Sequence, residues 1–375
     1  RYIDNYFRDF DKLNIQRATN YPKATEHIDD IIEFIKKLID KKIAYVSENG
    51  VYFSVSKFPE YGKLSKKKID ELKSGSRIQV DETKKDPLDF AVWKFSDVEP
   101  TWESQWGKGR PGWHIECSVM SMKYLGGNFD IHGGGRDLIF PHHENEIAQS
   151  EAHSDGKFAK IWMHVGMVTI SGEKMSKSLG NTKSIKHVLE NWGPNIIRLF
   201  CLSGHYSKVI DYSEEMLKEN LTKWRQVETC YFELIHANSN QQEDISDKIK
   251  NISLEFDKSL EDDLNTHLAL LSFFELVKET NRLAAEEKLG IENSLIIKNE
   301  FERITKILGL NIPEMSQEEK QKIDNLISNR KKFREEKKFE EADKIRDQLN
   351  EMNVELIDHK EKTIWMKKEK IKSEK

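Results

Sequence analysis

The chain has 375 residues, 37% hydrophobic and 33% charged, with a net charge of −5 and three cysteines. Such a length predicts two or three domains rather than one core, and so few cysteines exclude a disulfide framework and fit a reducing, cytoplasmic setting. There is no apolar run of about 18 residues, which excludes a membrane-spanning helix, and the acidic balance leaves nucleic-acid contact to local basic patches.

The opening Arg1-Tyr2-Ile3-Asp4 reads as mid-helix, with no initiator Met and no signal-peptide pattern, so an interior start is expected. Tyr2, Ile3, Tyr6, Phe7, Phe10 and Leu13 predict a helix over residues 2–15. A second is predicted from about Thr25 to Lys42, with Ile28, Ile31, Ile32, Ile35, Leu38 and Ile39 as its buried stripe. Residues 43–58 alternate as a hairpin with its turn at Asn49-Gly50, and the polar, lysine-rich stretch 62–90 reads as an inserted loop-rich subdomain. Trp93, Trp102, Trp106 and Trp113, among Gly107, Gly109, Pro111 and Gly112, predict a shaped site. A strand is expected over 129–131, a helix over about 141–152, a strand over 161–170, a glycine-flanked loop over 172–181 and a helix over 184–191. Beyond about residue 213 the pattern is helical, with Leu264, Leu268, Leu271, Phe274, Leu276, Val277 and Leu283 as one stripe. A Lys/Glu-rich helical hairpin over 316–352 and a short alternating stretch, Val354–Ile357 and Thr363–Trp365, precede a lysine-rich tail.

Chemistry concentrates in a few places. Cys117, His142 and Glu146 offer a thiol, an imidazole and a carboxylate; on a helix, His142 and Glu146, four apart, share a face. Such a trio can ligate zinc with a position left open, or be a capped helix start beside a packing cysteine. In Lys174-Met175-Ser176-Lys177-Ser178, two lysines on a glycine-flanked loop can fold over a triphosphate. In His132-Gly133-Gly134-Gly135-Arg136-Asp137, glycines permit close backbone approach and Asp137 can accept from ribose hydroxyls, though a glycine triplet alone is more often a tight turn.

Taken in order, Gly112-Trp113-His114-Ile115-Glu116-Cys117-Ser118, Phe129–Gly135, Phe140-Pro141-His142-His143-Glu144-Asn145-Glu146 and the 174–178 loop resemble the cysteinyl-tRNA synthetase family. Similar stretches, Asp9–Asn14, Tyr206–Ser213, Asp262–Thr266 and Glu341–Arg346, extend the likeness over essentially the whole chain. The resemblance implies an α/β plus all-α fold: a partial Rossmann-like class I synthetase catalytic core with a connective insertion, then a helical-bundle anticodon-binding region. It divides the chain into the end of the first catalytic half (1–24), the connective peptide (25–110), the second catalytic half (111–165), the lysine-loop and stem-contact region (166–220), a DALR-type bundle (221–312) and the anticodon-binding end (313–375).

The resemblance further implies one zinc ion per chain held by Cys117, His142 and Glu146. A fourth cysteine ligand and an H-x-G-H motif are expected ahead of Arg1, and neither occurs in this chain; Cys201, in an apolar stretch, is expected in the core. Lys174 and Lys177 would act on ATP with Mg²⁺, beside Gly135, Asp137 and His132, and Trp113 would wall the side-chain pocket. The implied substrates are ATP, L-cysteine and tRNA(Cys), with no membrane partner and a monomer expected. Lys331, Lys332, Arg334, Lys337, Lys338, Lys367, Lys368, Lys370 and Lys372 would meet RNA phosphates, and Trp365 could stack on an anticodon base. Two rivals remain open: a paralogous ligase acylating an amino sugar, against which the 316–366 stretch speaks, and a non-catalytic zinc-dependent RNA-binding protein, against which the intact lysine loop speaks.

Overall fold

A computed structural model describes residues 1–68, 83–176, 180–238, 243–312, 315–358 and 363–374. Two compact units emerge: Ala18–Met167, and Arg1–Arg17 together with Val168–Lys375.

In the 18–167 unit, helix α2 (Ile28–Asp40; α1 belongs to the other unit) buries Ile28, Ile31, Phe34, Ile35 and Leu38. That face packs on an antiparallel sheet of β1 (Ala44–Ser47), β2 (Gly50–Phe53), β3 (Phe90–Phe95) and β4 (Gly109–Pro111), in that order among the described residues. Gly50 pairs with Ser47, so the hairpin turn is Glu48-Asn49, one residue earlier than expected. Gly50 belongs to the strand instead, with φ +152° and so close to β3 that a Cβ there would strike the Trp93 carbonyl oxygen. Asp89 is buried beneath the sheet, accepting from Tyr45 Oη (2.8 Å) and the Val55 amide (2.9 Å). Part of the expected insertion, residues 69–82, lies outside the described residues.

Helix α3 (Trp113–Leu125) follows β4 and stops at Gly126, whose φ of +76° ends the turn. Strand β5 (Phe129–Gly135), helix α4 (Glu144–Ser154) and strand β6 (Ala159–Val165) form a β-α-β unit whose strands pair in parallel. The expected strand of 129–131 therefore runs four residues further, through the glycines. Helix α2 packs on both α3 and α4, joining Ile115, Val119, Ala148 and Ala152 to the core.

In the other unit, α1 (Tyr2–Lys12) ends beside Arg198, whose guanidinium donates to the Leu13 and Leu308 carbonyls. A small sheet, β8 (Glu173–Lys174), β7 (Val168–Ile170) and β9 (Ile210–Asp211), carries the lysine loop. Helix α5 (Ile185–Leu202) runs past the expected end at 191 and kinks at Gly193-Pro194, where Gly193 takes φ +74°. A helical bundle follows: α6 (Glu214–Ile235), α7 (Ser246–Glu261), α8 (Thr266–Ala285) and α9 (Ile291–Leu308). The α8 stripe differs from expectation. Leu268 and Leu271 are exposed, as is Leu264 before the helix, while Ala269, Leu270, Phe273, Leu276, Val277 and Leu283 are buried. A helix with apolar residues on several faces does not declare its phase; the neighbours α6 and α7 select it.

The hairpin α10 (Gln317–Glu335) and α11 (Phe339–Glu351) packs with the antiparallel pair β10 (Val354–Asp358) and β11 (Thr363–Lys367). Trp365 is only 4% exposed and its Nε1 donates to Asp324 Oδ1 at 2.8 Å. It is a core residue, which corrects the expectation that it stacks on a base. Cys201 is exposed rather than in the core, whereas Cys230 is fully buried.

Candidate functional site

The site grows from α3, β5 and the start of α4, all in the 18–167 unit. Gly112 begins α3, and the first turns present Trp113, His114 and, one turn on, Cys117. Between β5 and α4 the chain makes a short turn, Arg136–Leu138, and a wide one, Ile139–His143, so His142 precedes the helix that carries Glu146. The expected helix start near 141 is thus three residues late, yet the expected juxtaposition holds: the ligand atoms of Cys117, His142 and Glu146 lie within 4.8 Å of one another.

The surroundings of these atoms are unusual. Glu146 is fully buried, with His142 Nε2 2.6 Å from one oxygen and His132 Nε2 3.0 Å from the other. Neither approach has hydrogen-bond direction, and both oxygens are buried without a hydrogen-bond partner. The facing imidazoles offset the burial of this carboxylate when they are protonated, and a cation seated among Cys117, His142 and Glu146 would take over that role. On the other side of the ring, His142 Nδ1 is 2.8 Å from His114 Nδ1. Burial, aided by His142, holds His114 down at about 4, so its ring is neutral near pH 7 and one of the two facing Nδ1 atoms carries the hydrogen between them. With the hydrogen on His142 Nδ1, Nε2 would turn its lone pair toward Cys117 and Glu146, the tautomer a metal requires. Burial, with Glu146 and Glu116 adding, pushes the Cys117 thiol up to about 12. Burial alone would raise Glu146, but His132 and His142 outweigh it and hold the carboxyl below its ordinary value. Thiol, imidazole and carboxylate therefore fit a metal ion.

The other expected residues fall as follows. Trp113 is 58% exposed and stacks on His142, ring centroids 4.3 Å apart. Trp93 is fully buried, and Trp102 and Trp106 pack against the same core, so of that cluster Trp113 alone stands at the site. His132 lies on the metal side, its ring among Phe129, His143, Phe158 and Trp162. Gly134 sits in the β5–β6 ladder, and a Cβ there would come within 2.7 Å of the His143 ring: the glycine makes room for an imidazole. Gly135 ends β5, and Asp137 is exposed just beyond it. Lys174 is exposed on β8 in the other unit; Lys177 lies outside the described residues. The loop's base is set by Asp211 Oδ1, which accepts from Thr169 Oγ1 (2.6 Å) and the Gly172 amide (2.9 Å), and by Asn181 Oδ1, which accepts from the Ser176 amide (2.8 Å).

Sequence reasoning missed the histidine network. His143 Nδ1 is 2.8 Å from His164 Nε2, burial holds His143 down at about 4, and His132, His143 and Glu146 form a second set of close ligand atoms. The available signal was density: six of the chain's twelve histidines fall between His114 and His164.

Comparison with known proteins gives the class first. The family pattern described as tRNA synthetases class I (C) catalytic domain matches residues 1–222, and a DALR domain pattern matches residues 255–312. The fold is shared with Mycobacterium tuberculosis methionyl-tRNA synthetase in its complex with methionyl-adenylate, at a TM-score of 0.56 and 15% identity over 81% of this chain and 76% of that one. Among curated relatives, the cysteine–tRNA ligase of Thermodesulfovibrio yellowstonii is 46% identical over 97% of this chain and 81% of its own length. That of Carboxydothermus hydrogenoformans is 44% identical over 97% of this chain and 80% of its own. The chain belongs to the cysteine–tRNA ligase family of class I synthetases.

Proposed function

We propose that this protein activates L-cysteine with ATP to cysteinyl-adenylate and passes the cysteinyl group to the 3′ end of tRNA(Cys), in the cytoplasm and as a monomer. The observation that carries the reading is the close set of half-buried Cys117 with buried His142 and Glu146, both Glu146 oxygens lacking hydrogen-bond partners. These three would hold one zinc ion. Bound there, zinc would take the substrate thiolate directly and so separate sulfur from the oxygen of serine, which an apolar pocket resolves by no more than roughly a hundredfold.

The rest falls to the chain's own side chains. His114 holds the His142 tautomer through the 2.8 Å contact. A Cys117 thiol near 12 does not ionise alone at neutral pH, so it would serve as a thiolate ligand only with a metal bound beside it. Trp113, stacked on His142, walls the small side-chain pocket. For the nucleotide, Gly135 would allow close backbone approach, Asp137 would accept from the ribose, and Lys174 and Lys177, with Mg²⁺, would neutralise phosphate charge as the cysteine carboxylate attacks the α-phosphorus and pyrophosphate leaves. His132, facing Glu146, links β5, which ends at Gly135 just before Asp137, to the end that would hold the metal. For tRNA, the cations of the α10–α11 hairpin, Lys331, Lys332, Arg334 and Lys337, supply phosphate contact; Lys338, Lys367 and Lys368 are already paired with Glu336, Glu319 and Glu355.

Metal analysis of the purified protein tests the reading. About one zinc per chain is expected, with little left in Cys117→Ala or His142→Ala; the same zinc content in all three would overturn it.

A further inference from the structure

Between the ligands His142 and Glu146 lie two buried polar residues, Glu144 and Asn145, that the roles above leave unexplained. Glu144 is fully buried and forms no ion pair among the described residues. Backbone amides of one loop surround its carboxylate instead: Gly62 N–H donates to Oε1 (2.9 Å), Ser65 N–H to Oε2 (2.8 Å), and Leu64 N–H reaches Oε1 at 3.5 Å. Asn145 Oδ1 accepts from Tyr61 Oη at 2.6 Å. Farther along α4, Glu151 pairs with Lys63, and the Lys67 ammonium stands 4.2 Å from the centre of the Phe140 ring. The loop 61–67 is thus fastened from the turn before α4 to the helix middle.

The loop's own geometry serves this contact. Gly62 has φ +99°, and a Cβ there would run into the Lys67 carbonyl. Only glycine holds that conformation cheaply, and it turns successive amides toward one anion. The opposite partner sits where the wide turn Ile139–His143 runs into α4, the Glu144 amide donating to the Pro141 carbonyl. This junction must hold Glu146 in register with His142, which precedes the helix.

We propose that Glu144, through this clasp, is a positioning residue for the amino-acid substrate: it fixes the first turn of α4, and with it the spacing of the metal ligands that receive the cysteine thiol. The inference rests on the metal reading above. A buried carboxyl group cannot leave these amides without losing the hydrogen bonds they give it, so rotation of the turn is opposed at the place where it would separate His142 from Glu146.

The test uses the full-length protein with Glu144→Gln, the loop-side variant Gly62→Ala, and Glu146→Gln as metal control. Three quantities are read: zinc retained against a chelator, KM for cysteine and for ATP separately in pyrophosphate exchange, and the rate of tryptic cleavage over residues 63–68. E144Q and G62A are expected to weaken zinc retention and raise KM for cysteine by about tenfold. KM for ATP should stay within about twofold and the loop should be cut faster, while E146Q loses the metal. If E146Q keeps its zinc, the metal reading falls and takes the clasp with it. If E146Q loses zinc while E144Q and G62A keep it with unchanged KM for cysteine, the clasp alone is overturned. A uniform loss, with both KM values and thermal stability moving together, marks a merely structural contact and also overturns it.

Discussion

Replacing His114 by Phe isolates one hydrogen bond behind the metal site. His114 Nδ1 and His142 Nδ1 are 2.8 Å apart, and His114, held down at about 4 by burial, is neutral at pH 7 and able to accept a hydrogen bond from His142. Phenylalanine fills similar space without an acceptor. His142 is only 4% exposed, so its Nδ1–H would be left in the interior without a partner. An orphaned buried donor costs about 1–3 kcal/mol, and at 1.4 kcal/mol per factor of ten the loss is roughly 5- to 150-fold in metal affinity. Competition against a chromophoric chelator at pH 7 measures it directly. His114→Gln, which returns an acceptor, should recover part of the loss. Zinc affinity in H114F within twofold of wild type would refute the idea that this contact sets the His142 tautomer.

Trp365→Ala should destabilise the C-terminal end by about 3–5 kcal/mol, because the indole packs with Phe232, Ile323 and Leu349. Trp365→Phe should cost only about 1 kcal/mol, the hydrogen bond to Asp324. Urea unfolding checks both, and unchanged stability with lost tRNA affinity would return Trp365 to base recognition. Glu279 predicts an acid dependence: hydrogen bonding to Arg282 outweighs burial and, with Lys248, lowers its carboxyl from 4.5 to about 2. Because the folded value is depressed, the stabilisation is complete above 4.5 and lost as pH falls toward 2. The gap in thermal midpoint between wild type and Glu279→Gln should be constant above about pH 5 and vanish near pH 2; a gap that persists in acid contradicts it.

Much of this was legible in the sequence because local rules dominate there. The four-residue spacing of His142 and Glu146 brings them together although His142 precedes the helix, since His143 and Glu144 between them already hold helical backbone angles. The 316–352 hairpin was legible from charge and length alone, as its sparse apolar residues leave one phase. What failed depends on partners distant in sequence. Trp365 reads as a surface aromatic until Asp324 and Phe232 enclose it. Leu268 and Leu271 read as core until α6 and α7 claim the other face of α8. Gly134 was expected to serve a ligand's approach, and its first use is space for His143. The Glu144 clasp carries no pattern at all, because its donors are backbone amides eighty positions away.

The most direct test of the central claim is cysteine-dependent exchange of pyrophosphate into ATP, with serine in parallel and bound zinc quantified, using protein expressed from the complete gene. The account predicts exchange with cysteine and not with serine, lost together with zinc in Cys117→Ala and His142→Ala. A folded, zinc-loaded protein that shows no exchange, or exchanges equally with serine, would contradict it.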